Sequence, residues 1–181
     1  MNQKNSLGLD ICFGELENPF KLFEEWFDKA KKSELNDPNA LALATSDKEG
    51  IPSVRMVLLK GFSEKGFVFY TNLNSKKSTD IKINPNASMC FHWKSLLRQI
   101  RIVGKINPVS DKDADEYYSS RGYGSRIGAW ASKQSTILSN RDQLYQSIDF
   151  FKKKYPDKNN VPRPEYWSGW NLSPNEIEFW L

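Results

Sequence analysis

A single histidine, His92, stands in the 181 residues. A Ser-His-Asp triad would have that one candidate base, and no nucleophile-elbow motif surrounds it. Cysteine is almost as scarce, with Cys12 and Cys90 far apart and in no CxxC spacing. One histidine and two scattered cysteines make no metal-ligand pattern, so no metal site is expected. They also make no disulfide framework, which fits a reduced compartment and a cytoplasmic location. No stretch approaches the ~18–20 consecutive apolar residues of a membrane span. The opening MNQKNSLGLD has no apolar h-region, so no signal peptide is expected. Neither sign of charge dominates: 26 Lys and Arg face 22 Asp and Glu, a net +4 that argues against a nucleic-acid partner.

Aromatic residues, by contrast, are plentiful at 13%, with 6 Trp, 7 Tyr and 11 Phe. So many flat side chains suit a core, a subunit interface or a pocket for a flat ligand. The length suits one domain with a substantial core, and no internal repeat divides it.

Residues 1–17 show no clear period and are expected to form a loose arm. Asn18-Pro19 has the form of a helix cap followed by proline at the first helical position, and Phe20, Phe23, Phe27 and Ala30 recur at helical spacing over roughly 19–34. Strands follow: ALALATS, the turn DKEG, IPSVRMVLLKG, the turn SEKG, then FVFYT. Both turns end in glycine, the signal of an antiparallel meander. Ser75 is expected to cap a short helix ending before Pro85, with strands ASMCFHWKS and LLRQIRIVGKI after it. Ser110 opens an acidic-started helix over DKDADEYYSSR, a short helix is expected over 125–132, and Ser139 is expected to cap a helix reaching Lys154. EYWSGWNLS and EIEFWL read as two final strands. Six or seven strands with helices inserted between them predict a mainly β protein, a closed or partly closed antiparallel barrel with peripheral helices.

Four stretches could carry chemistry. RMVLLK, 55–60, closes an apolar strand with a cation at each end. Strand parity puts Arg55, Val57 and Leu59 on one face and Met56, Leu58 and Lys60 on the other, so two separate anions, or one anion and one solvated end, suit the pair better than a single shared anion. Taken alone, the stretch favours two cations that simply snorkel at strand ends. YTNLNSKKS, 70–78, puts Lys76 and Lys77 in a helix's first turn, where cations oppose the macrodipole unless an anion such as phosphate binds there. Solvated lysines screened by salt are the equal alternative. YYSSRGYGSRIGAWASKQST, 117–136, combines arginine, tyrosine and serine with three glycines; Tyr117, Arg121 and Ser125 stand at i, i+4, i+8, although Gly122 and Gly124 break a continuous helix. That composition suits a phosphate site or a polar loop over a subunit interface. In RQIRIVGK, Gln99, Arg101 and Val103 alternate with the core-facing Ile100 and Ile102, and Gln99 could meet a heteroaromatic edge or be an ordinary cross-strand residue.

In order along the chain, RMVLLK, FVFYTNLNSKKS, RQIRIVGK, SRIGAWASKQS and RPEYWSGWNLSPNEIEFW resemble the pyridoxamine 5′-phosphate oxidase family, from about residue 19 to 181. The resemblance implies a split-barrel FMN-binding fold and a homodimer holding two flavins at its interface. It implies oxidation of pyridoxine or pyridoxamine 5′-phosphate to pyridoxal 5′-phosphate, with O2 reduced to H2O2. It also implies which residues bind. The strand Arg55, Met56, Val57, Leu58, Leu59 and Lys60 matches the family's flavin strand. Tyr70, Thr71, Lys76, Lys77, Gln99, Gln134, Ser135 and Trp180 match further flavin contacts. Lys60, Tyr117, Arg121 and Ser125 match its substrate-phosphate ligands. No catalytic acid or base is carried over, because the cofactor supplies the redox chemistry. Lys76 stands where relatives often have arginine. The Arg-Leu-His-Asp-Arg segment with which family members usually continue has no counterpart after EIEFWL. A non-catalytic FMN- or pyridoxal-phosphate-binding protein, or a flavin enzyme with another substrate, is the alternative.

Overall fold

The structure, a computed structural model, describes residues 17–181. The arm expected over 1–17 therefore lies almost wholly outside the described residues. Helix α1, Pro19–Ser33, begins as anticipated: the Asn18 side chain accepts the Phe20 N–H at 2.9 Å and proline fills the first position. Its buried face is Leu22, Phe23, Trp26, Phe27 and Ala30. The Phe23 ring meets Phe62, Phe67 and Phe91 edge-on at 4.8, 4.9 and 5.3 Å, which locks the helix to three strands.

Those strands belong to one antiparallel sheet. In chain order they are β1 (Ala40–Ser46), β2 (Pro52–Leu58), β3 (Gly61–Ser63), β4 (Gly66–Asn72), β5 (Asn86–Trp93), β6 (Arg98–Pro108) and β7 (Trp167–Trp180). Their spatial order is β2-β1-β5-β6-β7-β4-β3, so β2 and β3 are opposite edges. Yet only Leu59 and Lys60 join them. Two residues span roughly 10 Å at most between the strand ends. The sheet must therefore curl until its edges meet, which is what makes it a half-barrel. Each linking residue is tied to its own side: Leu59 N–H donates to the Asn39 carbonyl, extending the β1–β2 pairing, and Lys60 N–H to the Val68 carbonyl, extending the β3–β4 pairing, each at 2.8 Å. Leu59 points into the core, while the alternate β2 residues Val54 and Met56 remain 69% and 65% exposed.

The helices are α2 (Lys76–Ile83), α3 (Asp111–Ser120), α4 (Tyr123–Ala131) and α5 (Arg141–Lys154). Three expectations are corrected. Helix α4 starts at Tyr123, two residues early. Asn140, not Ser139, caps α5, its side chain accepting the Gln143 N–H at 3.0 Å. The two final strands are one 14-residue strand, pairing with β4 over Trp167–Leu172 and with β6 from Trp170 to Trp180. Pro174 suggested a break, because proline cannot donate to a ladder. A register shift between Val103 and Gly104 absorbs it instead. The shift presses the Ser173 carbonyl so close that a Cβ on Gly104 would lie 2.1 Å from it.

Gly66 is constrained twice, by a φ of +131° and by the Leu172 carbonyl 2.2 Å from where a Cβ would stand. Gly66→Ala is expected to destabilise the protein by about 1–3 kcal/mol or more. Gly61→Ala, with nothing within 4 Å, should change stability by less than ~0.5 kcal/mol. Urea denaturation of the two variants checks the contrast.

Candidate functional site

A cleft of about 660 Å³ opens where β2, the end of β4, the start of α2 and the α3–α4 junction converge. Met56, Val57 and Leu58 make one apolar wall; Tyr70, Thr71, Tyr117 and Trp167 face the same space. Its size lies within the usual ~300–1,000 Å³ of small-molecule sites. Two cationic groups mark it.

The first is Lys77, only 6% exposed although it carries a charge. It owes this burial to α2 starting at once after β4: the Asn72 carbonyl accepts both the Ser75 and Ser78 hydroxyls, at 2.7 and 3.1 Å. This tight turn swings Lys77 back over the strand it has just left. Its Nζ then donates to Thr71 Oγ1, Ser75 Oγ and Gln134 Oε1, each at 3.2 Å. None of these partners is charged. Burial first, and the nearby Arg55 guanidinium second, together lower its pKa to about 8.

Arg55 and Lys76 behave differently. Arg55 donates to the Leu43 carbonyl at 3.1 Å, to Thr45 Oγ1 at 2.7 Å and to Ser53 Oγ at 2.7 Å. Lys76 pairs with Asp80 one turn along α2, at 2.8 Å. Asp80 is itself buried, accepts the Thr45 hydroxyl at 2.9 Å, and lies 3.9 Å from Arg55. Burial alone would raise its pKa, but the hydrogen bonds from Lys76 and Thr45 and the charges of Lys76 and Arg55 outweigh that and lower it. The cost of two lysines at a helix start is thus met in part by a resident carboxylate, a partner that the i, i+4 spacing of Lys76 and Asp80 could have signalled.

The second cationic group is Arg121, the residue at which α3 ends. Its guanidinium lies 4.6 Å from the Trp167 ring centroid and 5.9 Å from that of Tyr118. Its Nη1 is buried with no hydrogen-bond partner among the described residues. Burial lowers its pKa, with the phenols of Tyr117 and Tyr118 opposing. Lys60 reaches the same region, its Nζ 5.9 Å from the Tyr117 ring. The break foreseen at Gly122 turns the chain here, so Tyr117, Arg121 and Ser125 all line the cleft from two helices rather than one.

A family model described as pyridoxamine 5′-phosphate oxidase matches residues 27–151. The chain is 70% identical over all 181 residues to a pyridoxine/pyridoxamine 5′-phosphate oxidase of Pelagibacter ubique, covering 87% of that protein. It belongs to the pyridoxamine 5′-phosphate oxidase family. Among solved structures, PhzG from Burkholderia lata, in complex with tetrahydrophenazine-1-carboxylic acid, is 27% identical with a TM-score of 0.86, over 93% of this chain and 82% of that one. A pyridoxamine 5′-phosphate oxidase-related, FMN-binding protein from Nostoc punctiforme shares the fold at 17% identity and a TM-score of 0.71, over 91% of this chain and 84% of its own. The split barrel is therefore the fold of the chain, and the family points to a flavin site.

Of the residues matched to that family, Met56, Val57, Leu58, Lys60, Tyr70, Thr71, Lys77, Tyr117, Arg121, Ser125 and Gln134 come together at the cleft. Ser135 follows Gln134 with a φ of +64°. Leu59 faces the core, and Arg55 and Lys76 stand behind Lys77 as described. Gln99 and Trp180 do not join them. They are cross-strand partners at the far end of β7 from Trp167, ~40 Å of strand path away. Sequence reading missed Asp80, Thr45 and Trp167; the last was visible only as one tryptophan in an aromatic-rich ending.

The sign of the Lys77 effect is open to test. Above pH ~8 the free protein's Lys77 becomes neutral, so affinity for a phosphate-bearing ligand should fall as pH rises through 8. Stability should move the other way. Between about 8 and the ordinary 10.5 the unfolded chain holds the extra proton, so Lys77 adds stability with rising pH. Both slopes should flatten in Lys77→Met, measured by ligand titration and urea denaturation against wild type across pH 7–10.

Proposed function

We propose that the protein is an FMN-dependent oxidase that converts pyridoxine or pyridoxamine 5′-phosphate to pyridoxal 5′-phosphate while O2 is reduced to H2O2. The observation that carries this reading is a single cleft with two separate cationic groups, around Lys77 and around Arg121. Two phosphates, one on the flavin and one on the substrate, match two such groups. The residues present fit FMN. Lys77 offers charge beside the neutral donors and acceptors of Thr71 and Gln134, and the aliphatic wall of Met56, Val57 and Leu58 suits a flat ring. When bound, FMN supplies the two-electron redox chemistry that no side chain of the cleft can perform. The protein's part is to bind and orient. Lys77 takes the flavin phosphate, with Arg55 and Lys76 adding positive potential behind it. Arg121 directs its unpartnered Nη1 to the substrate phosphate, with Lys60, Tyr117 and Ser125 beside it.

A homodimer completes the site in this reading. Gln99, at the start of β6, and its partner Trp180, at the end of β7, do not line their own protomer's cleft, and a second copy would bring them to it. Trp180 is 59% exposed, and the apolar edge strand β2 presents Val54, Met56 and Leu58 to solvent, a surface that sheets ordinarily cover. We place this single split-barrel domain in the cytoplasm. No helix among the described residues is long and apolar enough to cross a membrane. PhzG holds tetrahydrophenazine-1-carboxylic acid on a similar fold, which keeps a flavin enzyme with another substrate as the second reading. The Arg121 group favours the phosphorylated one.

The deciding experiment is anaerobic. With FMN loaded, pyridoxine 5′-phosphate should bleach the flavin band near ~450 nm, and air should restore it with pyridoxal 5′-phosphate formed. A band that stays yellow rejects the oxidase reading. Arg121→Ala should raise KM for the phosphorylated substrate by roughly 30-fold or more, the scale of removing a charged partner, while FMN titration stays as in wild type. Equal losses in both would refute the division of the two phosphates. The shared site predicts complementation: Lys77→Ala and Trp180→Ala proteins, each weak in flavin binding, should on mixing regain roughly a quarter of wild-type sites, because half the dimers then carry one intact site. No recovery after subunit exchange places the whole site in one protomer.

A further inference from the structure

Trp167 contributes no group to which a role has been given, yet it is the centre of the densest ring cluster beside the cleft. The Tyr70 and Tyr117 rings lie face to face, 4.0 Å between centroids and 15° apart. Both run nearly parallel to Trp167, at 5.6 Å and 6° for Tyr70 and 6.1 Å and 9° for Tyr117. Tyr118 closes on Trp167 edge-on at 5.0 Å. The Arg121 guanidinium sits over the same indole at 4.6 Å. The indole is only 6% exposed and lines the cleft.

The backbone of Trp167 is held as firmly as its ring. Arg163 Nη1 donates to its carbonyl at 2.9 Å, and Arg163 is anchored in turn on Asp115 at 2.5 Å and Asp111 at 2.8 Å. Both aspartates belong to α3, the helix that ends at Arg121. On the other side, Thr71 and Asn72 pair with Ser168 and Trp167 in the β4–β7 ladder. One indole is therefore tied to the strand that leads to Lys77 and to the helix that delivers Arg121.

A free arginine side chain is long and loses much rotamer freedom when it is fixed. Here, among the described residues, Nη1 has no hydrogen-bond partner, and the guanidinium lies against the faces of Trp167 and Tyr118. Stacking constrains the plane of a guanidinium without occupying its N–H donors. An acidic partner would hold it equally well but would compete with an anionic ligand.

From this we infer that Trp167 is a positioning residue for the substrate phosphate: its indole face sets the plane of Arg121 and leaves the donors of that guanidinium free for the anion. The inference rests on the proposed role of Arg121 and adds the device that prepares it. It makes Trp167 a determinant of selectivity for phosphorylated over unphosphorylated substrate, without touching the phosphate itself.

The test is a double-mutant cycle in the FMN-loaded protein, read as KM against kcat for pyridoxine 5′-phosphate and as the calorimetric Kd of pyridoxal 5′-phosphate. Trp167→Leu should raise both KM and Kd by about tenfold, the scale of a partly desolvated cation–π contact. In an Arg121→Ala background it should raise them less than about twofold, since there is then no guanidinium to orient. Trp167→Phe, which keeps an aromatic face, should recover most of the loss. A full tenfold effect in the Arg121→Ala background would overturn the inference, because Trp167 would then act by packing alone. So would a Trp167→Leu protein with unchanged KM and Kd, or a Phe variant no better than Leu. If Arg121→Ala itself left KM unchanged, the assignment of Arg121 would fail, and this is visible separately from the Trp167 result.

Discussion

Everything in this protein depends on the sheet being made to close. The link between the two edges is two residues long, and the backbone bonds of Leu59 to the β1 side and of Lys60 to the β4 side fix each of its ends. Because β2 and β3 are opposite edges of the order, no flat arrangement of the seven strands satisfies that connection. Curling gives the interior its shape, and α1 fills it with Phe23 and Trp26, neither of which has measurable exposure. Curling also carries β2 over toward β4, so that Met56, Leu58, Tyr70 and Thr71 face one space despite lying on strands far apart in sheet order. The cleft is thus a product of closure, as the core is.

The two cationic groups are built by opposite means. At Lys77 the chain buries a charge among neutral oxygens and places a carboxylate one layer back, on Arg55 and Lys76. At Arg121 no carboxylate among the described residues pairs with it, and aromatic faces hold the group. In both places the cation keeps its charge because its packing partners are neutral; the three donors of Lys77 already meet Thr71, Ser75 and Gln134, whereas Arg121 keeps Nη1 without a partner among the described residues.

Much of this was legible in the sequence. The 3.6-residue recurrence of Phe20, Phe23 and Phe27 marked α1, and the glycine-ended turns marked the β1–β2 and β3–β4 hairpins; the continuous meander expected across them is not formed, because the RMVLLKG stretch leaves β2 at one edge of the sheet and enters β3 at the other. Period-two alternation correctly put Ile100 and Ile102 inward and Gln99 and Arg101 outward. What was not legible is non-local. Pro174 argued for a break in the last strand, and only the facing Gly104, some seventy residues earlier, explains why the strand continues. Strand parity put Arg55 and Lys60 on opposite faces of one strand, but β2 ends at Leu58 and Lys60 belongs to the link between the edges. The grouping of Lys77 with Gln134, or of Arg121 with Trp167, follows from closure and leaves no periodic trace. The separation of Gln99 and Trp180 from the other matched positions likewise appears only once β7 is seen as a single long strand.

The buried carboxylate of Asp80 has one more consequence. A cluster of Arg55, Lys76 and Lys77 with no anion among them would repel itself and resist being assembled. Asp80 acts as a built-in counter-ion, already in place when the chain folds. The three cations can then stand together without any bound ligand, so a newly made chain need not wait for one to shape this part of the cleft.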